Sequence, residues 1–222
     1  MSEPQPVDAP SGVYDRLRAQ ILDLDRIPGS RLTERGLEAE LGASRTPLRA
    51  ALMRLEADGL VCREGRAWQV SPIDLGEIAR LSELRDAVET AAVRLSCERA
   101  SDADIARLAH DLGAVDGDRP ADDAVRAGTE FHVRLAALSG NHFFADAVGS
   151  AMTRLARSRW LVARSEEAWE EHREILRLVA ARRPEEAAEL IHRHIVGTHE
   201  RLVEALDADA RTLRGRGLAI VR

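Results

Sequence analysis

The chain has no lysine, so all 32 of its basic residues are arginines. This absence indicates a GC-rich coding background rather than a mechanism. Cysteine is scarce too: Cys62 and Cys97 are too few for a disulfide framework and do not form a zinc-binding pattern. No apolar run approaches the roughly 20 residues of a membrane-spanning helix. These absences exclude a disulfide-stapled scaffold and a helical membrane protein, and they predict a cytoplasmic protein.

The length of 222 residues allows one small domain and one larger domain, each with its own core. Residues 1–12 are predicted to be a disordered leader, because they contain three prolines and few apolar side chains. The same stretch is too acidic and too poor in apolar residues to be a signal peptide.

A short helix is predicted from Ser44, which occupies the N-cap, to Gly59, which ends it. Arg45 and Arg49 are four residues apart at its N-terminal end, where the helix dipole favours anions. Its apolar stripe lies on another face and consists of Leu48, Leu52 and Leu55. A helix with this distribution of side chains suits a groove lined by phosphates.

The flanking segments complete a winged helix-turn-helix over residues 13–72. A shorter helix over residues 33–41 is joined to the first by the tight turn Gly42-Ala43. Residues 60–63 and 67–70 flank a basic tip that contains Gly65 and Arg66, as expected for a hairpin. Although the net charge is −6, residues 30–70 contain seven arginines and only six acidic residues, so a binding face can be basic on an acidic protein.

Four segments of this region resemble the DNA-binding domain of the GntR family of bacterial transcription regulators: residues 14–17, 28–35, 41–49 and 55–61. The chain departs from the family pattern at Gly36, Ala50 and Ala67. We expect the DNA-contacting residues to be Arg35 on phosphate, four residues at the start of the second helix, and two at the wing tip: Ser44, Arg45, Thr46, Arg49, Gly65 and Arg66.

Gly36 occupies the position at which the capping box of the shorter helix would have a glutamate. The sequence therefore predicts that this device is lost and that the helix is softened by an interior glycine. Restoring the glutamate is expected to stabilise the winged domain by about 1 kcal/mol.

Helical periodicity dominates from Ser71 onward, where strand signals stop. It predicts an all-α bundle of about six helices at 74–100, 102–114, 120–139, 142–163, 165–181 and 184–213. The whole protein is therefore predicted to be mainly α, with a bundle domain over residues 73–210 and a tail over 211–222 that has no clear role.

Three histidines lie on the predicted inward stripes of three different helices: His132, His172 and His194. One inward histidine is usually a hydrogen-bonded core residue. Three from separate helices of a bundle raise the alternative of a metal site, because bundles assemble metal ligands from facing helices. His110, His142, His192 and His199 fall off the stripes or at their edges and are expected at the surface.

The same histidines, with the neighbouring residues Glu130-Phe131, Ser139-Gly140-Asn141 and Glu171, resemble the FCD effector-binding domain of the FadR subfamily. That resemblance implies a divalent metal, here zinc, nickel or manganese, that helps to hold a carboxylate effector. The family's aspartate ligand is replaced by Gly128, and Glu130 points elsewhere. Three alternatives remain: a three-imidazole site with open positions, a metal-free pocket, or structural histidines left from a metal-binding ancestor.

Two further residues are candidates for effector binding. Arg85 lies on an inward stripe and either pairs with Glu89 one turn later or receives the effector's carboxylate, as the resemblance implies. Asn141 is either a donor in the pocket or the cap of the next helix.

The sequence therefore favours a homodimeric, ligand-responsive regulator that binds a short palindromic DNA operator and is released or repositioned by a small carboxylate. One alternative is a metal-dependent enzyme with a DNA-binding appendage, although no general base is identifiable on the histidine stripes. Another is a metal-free sensor of acyl-CoA type within the same family. A winged helix used for protein contacts is a fourth possibility, and Arg45 and Arg49 argue against it.

Overall fold

The computed structural model describes residues 12–113, 121–159 and 166–221. It contains two compact units, one ending at Pro72 and the other beginning at Ile73. The predicted leader, apart from Gly12, lies outside the described residues, and so do the predicted turn at 117–120 and the last residues of the predicted helix 142–163. Within the described ranges, no helix is both long enough and apolar enough to cross a membrane.

The first unit is a winged helix-turn-helix, as predicted. Its elements are α1 (Val13–Leu22), β1 (Arg31–Leu32), α2 (Glu34–Leu41), α3 (Arg45–Ala57), β2 (Val61–Glu64) and β3 (Ala67–Val70). Leucines of α1, α2 and α3 pack with Trp68 and Val70 of β3 in one core. The turn between α2 and α3 works because Gly42 adopts a left-handed conformation, with φ of 62°, that glycine takes without strain.

The start of α2 keeps half of the capping device that the sequence predicted to be lost. The side-chain oxygen of Thr33 accepts a hydrogen bond from the Gly36 backbone N–H at 3.2 Å. Only the reciprocal bond from a glutamate side chain is missing, because Gly36 has no side chain to make it. The expectation that the device is lost was therefore wrong in part.

The wing is a three-stranded antiparallel sheet in the order β1, β3, β2, whereas the sequence predicted only the hairpin of β2 and β3. Leu32 of β1 pairs with Trp68, and Val61 of β2 pairs with Val70. A two-residue strand such as β1 is too short to show an alternating pattern, which explains why it was missed.

The second unit is an all-α bundle closed by one short strand pair, so the mainly α fold class is confirmed. Its helices are α4 (Leu75–Arg99), α5 (Asp102–Gly113), α6 (Ala121–Ala137), α7 (His142–Arg159), α8 (Glu166–Ala180) and α9 (Pro184–Gly215). The strands β4 (Ile73–Asp74) and β5 (Ile220–Val221) pair in parallel. The sequence analysis assigned no role to the tail and predicted no strand here, since neither dipeptide has a strand pattern of its own.

The packing of the bundle brings four helices together at its centre. Helix α4 packs against α9 and α6, and α8 packs against α9 and α4. Each of these four helices contributes a buried polar side chain: Arg85, His132, His172 and His194. Burying polar groups in an apolar core costs free energy of folding unless these groups form hydrogen bonds with one another. The contacts of these four side chains therefore determine what the bundle can do.

Candidate functional site

The predicted DNA-contacting residues all lie on the surface of the first unit. The side chains of Arg45 and Arg49 are 76% and 63% exposed, while Leu48, Leu52 and Leu55 on the opposite face of α3 are fully buried. The remaining predicted contacts are exposed as well: Arg35, Ser44, Thr46, Gly65 and Arg66. Ser44 occupies the N-cap position of α3, but its side chain makes no capping hydrogen bond.

The two arginines of α3 are paired with carboxylates of α2, which the sequence analysis did not predict. The Nε atom of Arg45 lies 2.9 Å from Oε1 of Glu38, and Nη2 of Arg49 lies 2.9 Å from Oε2 of Glu34. The bond from Arg49 also lowers the pKa of Glu34. Exposed ion pairs of this kind are weak, so both guanidinium groups remain available to a stronger anionic partner.

The turn of the wing presents a small, exposed tip. Gly65 has a φ of 60°, a conformation that β-hairpin turns require and that glycine provides without strain. Behind the tip, the guanidinium of Arg63 stacks at 3.5 Å on the ring of Trp68, which anchors one side of the hairpin. Arg66 is therefore carried on a turn whose base is fixed.

The structure brings His132, His172 and His194 together inside the bundle. They come from α6, α8 and α9 and are 0%, 3% and 2% exposed. Their potential ligand nitrogens all lie within 4.8 Å of one another, and the Nε2 atoms of His172 and His194 are 3.1 Å apart. We call these three residues the histidine centre.

The donor set of the histidine centre fits a divalent metal ion. Nitrogens bound to one zinc ion at about 2.0–2.1 Å are roughly 3.3 Å apart in a tetrahedral arrangement. The separation of 3.1 Å between His172 and His194 is already close to this value, whereas separations of up to 4.8 Å would have to shorten around an ion. Burial lowers the pKa of His194, and Arg85 lowers it further, against the opposing effect of Glu171. The ring is then held in the neutral form that binds metals.

Two carboxylates lie directly behind the rings. Oε2 of Glu89 is 2.7 Å from Nδ1 of His132, and Oε2 of Glu171 is 2.7 Å from Nδ1 of His194. A carboxylate only accepts hydrogen bonds, so we assign the proton of each neutral ring to Nδ1. The Nε2 atoms of these two rings consequently carry the lone pairs that could ligate a metal.

Arg85 lies next to the histidine centre and forms the predicted ion pair with Glu89. Its Nε donates to Glu89 at 2.7 Å, and its Nη2 lies 3.2 Å from Nδ1 of His132. At 2% exposure, Arg85 is buried against the ring of His132. The ion pair with Glu89 does not occupy the whole guanidinium group, since a fork of five N–H donors can serve two acceptors.

Asn141 acts as a helix cap, the second of its two predicted roles. Its side-chain oxygen accepts the backbone N–H of Phe143 at 3.2 Å, in the first turn of α7. Gly128 is buried, whereas Glu130 is 63% exposed and lies 3.8 Å from Arg134. The sequence analysis predicted that Glu130 points away from the histidines, and its exposure agrees with that prediction. Glu130 therefore does not replace the missing aspartate.

Four functional candidates were missed by the sequence analysis: Glu34, Glu38, Glu89 and Glu171. Glu89 had been considered only as a partner of Arg85. Glu171 precedes His172 in the chain, but it bonds to His194 on the neighbouring helix. No spacing in the sequence signals such a cross-helix contact, because it depends on how α8 and α9 are rotated against each other.

Both units match models of known protein families. The model of the FCD domain matches residues 80–197, and the model of bacterial regulatory proteins of the gntR family matches residues 10–70. The Nta operon transcriptional regulator of Aminobacter aminovorans is 35% identical over 183 residues, which cover 81% of this chain and 87% of that protein. An HTH-type transcriptional regulator of Streptomyces ambofaciens is 32% identical over 153 residues, which cover 67% of this chain and 64% of that protein.

Solved structures show the same fold at lower identity. McbR/YncC of E. coli superposes with a TM-score of 0.67 at 19% identity, covering 86% of this chain and 95% of that one. A GntR regulator from Rhodococcus sp. RHA1 gives a TM-score of 0.71 at 23% identity, covering 87% and 96%. The chain belongs to the GntR family of bacterial regulatory proteins, in the FadR subfamily, and is a transcriptional regulator with a DNA-binding winged helix-turn-helix and an FCD effector-binding domain.

Proposed function

We propose that α3 is the recognition helix and that Arg45 and Arg49 contact base edges in the major groove of an operator. The observation that carries this proposal is the exposure of both arginines at the N-terminal end of a helix whose opposite face is buried. Arginine to a guanine edge is the commonest specific contact in protein–DNA complexes. Ser44 and Thr46 lie at the same helix end, Arg35 serves a phosphate, and Gly65 and Arg66 reach the neighbouring groove.

The regulator acts as a homodimer on a short palindrome, since a two-fold protein reads two half-sites. In each protomer, the bundle takes a small carboxylate as its effector. Arg85 is the anion anchor, since it is buried next to the histidine centre and has donor groups beyond those used by Glu89. Its charge favours a negatively charged ligand there.

A divalent metal, zinc, nickel or manganese, binds the three imidazoles of the histidine centre and leaves at least one position for the effector. When bound, the ion supplies a positive charge that holds the carboxylate. Around it, Arg85 attracts the anion and the apolar residues of the core exclude water. Without an aspartate at position 128, we expect the metal affinity to be modest.

The enzyme alternative is less well supported by the geometry. Three imidazoles with an open position would also suit a catalytic metal, and such a site needs a base within reach of a bound water. The carboxylates nearest to the rings, Glu89 and Glu171, are already engaged with His132 and His194. We therefore propose a binding role for the centre.

DNA recognition is tested by mobility shift with an operator selected from random duplexes by the wild-type protein. Arg45→Ala and Arg49→Ala should each abolish specific binding, since each arginine is worth about 1–3 kcal/mol of discrimination per base. The matched control is Arg107→Ala, which removes an exposed arginine of α5. Wild-type binding by both α3 variants would refute the docking. Arg35→Ala should instead weaken all sequences and flatten the salt dependence.

The metal site is tested by restoring the missing ligand. Gly128→Asp places a carboxylate one helical turn before His132 and should tighten binding of zinc, nickel or manganese well beyond wild type. His172→Ala in the same background should remove the gain. Metal content after dialysis and calorimetric titration provide the measurement. If Gly128→Asp binds metal no more tightly than wild type, the three histidines do not share a metal site.

A further inference from the structure

We propose that Glu171 and Glu89 are positioning residues of the histidine centre, which act on a bound metal through His194 and His132. Each glutamate fixes the proton of one ring on Nδ1 and directs the Nε2 lone pair towards the space that the three rings share. The inference rests on the proposed metal site and extends it to residues that are not ligands.

The clearer of the two contacts is made by Glu171. Helix α8 presents two consecutive residues to the centre: His172 offers a ring nitrogen, while Glu171 supports His194 on α9 at 2.7 Å. The ring of His194 is 2% exposed and the Glu171 side chain is 23% exposed, so the hydrogen bond is shielded on the ring side and partly hydrated on the carboxylate side. One helix thus supplies a candidate ligand and orients a second one across an interface.

Glu89 makes the equivalent contact in a fully buried setting. Its Oε1 accepts from Arg85 at 2.7 Å, and its Oε2 accepts from His132 at 2.7 Å. The carboxylate thus accepts one hydrogen bond from the guanidinium and one from the ring. The 2.7 Å contact with Glu89 therefore sets the tautomer of His132, against the longer 3.2 Å contact between the donor Nη2 of Arg85 and the same nitrogen.

These two contacts also bear on the missing ligand at Gly128. A metal held by three neutral imidazoles has no negatively charged ligand to offset its charge. Carboxylates bonded to the far nitrogen of a ligating ring raise the ring's basicity and bring negative charge within one imidazole of the ion. Glu171 and Glu89 supply two such carboxylates, so they take over part of the role of the absent aspartate.

The test is zinc affinity of the full-length protein, measured by competition with a chromophoric chelator. Loss of a carboxylate behind a ligating histidine typically costs about 10- to 100-fold in affinity. We expect Glu171→Ala to weaken zinc binding by that factor and Glu171→Gln by less, because the amide oxygen still accepts from Nδ1. The matched control is Glu170→Ala, which removes a neighbouring carboxylate that is 73% exposed and should leave the affinity within twofold.

Cobalt provides a second reading of the same variants. Its visible absorption reports ligand geometry, so Glu171→Ala should change the spectrum of the cobalt-loaded protein while Glu170→Ala leaves it unchanged. For Glu89, the variant is the double change Arg85→Leu and Glu89→Gln, which removes both buried charges together and avoids an unpaired guanidinium. Because the glutamine oxygen still accepts from Nδ1 of His132, this variant should weaken zinc binding by less than Glu171→Ala does.

The outcomes separate the two levels of the proposal. If the wild-type protein binds no zinc, the metal site itself is wrong, and the inference falls with it. If the wild type binds zinc and Glu171→Ala binds it within twofold with an unchanged cobalt spectrum, the metal site stands and the positioning role is refuted. If Glu170→Ala weakens binding as much as Glu171→Ala, the effect is one of net charge, which also refutes positioning.

Discussion

At the scale of single residues, Gly36 shows how a contact can reverse an expectation drawn from the sequence. A Cβ atom built at Gly36 lies 2.8 Å from Oγ1 of Thr33, which is closer than side chains normally approach. That oxygen is the one that accepts the Gly36 N–H and caps α2. A side chain at position 36 therefore forces Oγ1 of Thr33 to move, which disturbs the cap that the side chain was expected to strengthen.

We accordingly expect Gly36→Glu to leave the free energy of unfolding at or below the wild-type value. Removing a helix glycine gains about 0.5–1 kcal/mol, and losing the Thr33 cap costs about 1 kcal/mol. The control is Gly149→Ala in α7, where a new Cβ meets Val133 at an ordinary 3.8 Å; it should stabilise by about 0.5–1 kcal/mol. Scanning calorimetry of the full chain measures both, and a clear rise in midpoint for Gly36→Glu would contradict the steric argument.

At the scale of elements, acidic side chains of α2 pair with the two arginines of α3 that we propose for DNA recognition. Glu38 pairs with Arg45 and Glu34 pairs with Arg49 across the turn at Gly42. Phosphates compete with these carboxylates for the same guanidinium groups. The pairs should therefore suppress binding to DNA of arbitrary sequence more than binding to the operator, where base contacts add to the attraction.

The corresponding prediction concerns Glu38→Gln. An exposed ion pair is worth about 0.2–1 kcal/mol, so non-specific DNA affinity should rise by roughly 1.4- to 5-fold. The salt dependence should steepen by up to about 0.9 in log–log slope, the contribution of one additional phosphate contact. Glu56→Gln removes the same charge from the far end of α3 and should have a smaller effect. The measurement is a set of fluorescence anisotropy titrations with non-specific DNA over a series of salt concentrations. Equal changes in affinity and salt dependence for both variants would show that only net charge matters.

Apart from α1, for which the sequence analysis predicted no helix, the helices were predictable from the sequence to within a few residues because their ends carry local signals. Gly42 ends α2, Asn141 caps α7, and Pro184 starts α9. The convergence of three histidines was also predictable, since the helical period places each of them on an apolar stripe. The strands β1, β4 and β5 were not, because a two-residue strand is defined by its partner rather than by its own pattern.

The partners of the histidines could not be predicted for a related reason. Whether Glu171 reaches His194 depends on the rotation and spacing of α8 against α9, which no local pattern records. Arg182 is a further example: its guanidinium bonds the carbonyls of Cys97 and Ala100 at the end of α4, more than 80 residues earlier. Which acceptors a long side chain reaches depends on how the helices pack, and the local sequence does not determine that packing.

At the scale of the whole molecule, a regulator of this family must link two binding events on one chain. DNA binds the first unit, and a ligand binds the second. The coupling is reciprocal: if the ligand changes the affinity for the operator by some factor, the operator must change the affinity for the ligand by the same factor. Such couplings are typically about 1–3 kcal/mol, or about 5- to 150-fold in affinity.

The most direct test is the operator affinity of the full-length protein with its histidine centre loaded and stripped. The effector used in this test is the small carboxylate that raises the unfolding midpoint of the protein most in a thermal-shift screen with zinc present. Fluorescence anisotropy with the selected operator should then give a dissociation constant that changes at least fivefold when zinc and this carboxylate are added, and that stays constant in His172→Ala. A wild-type operator affinity unchanged at saturating zinc and carboxylate would contradict a regulator controlled through the histidine centre.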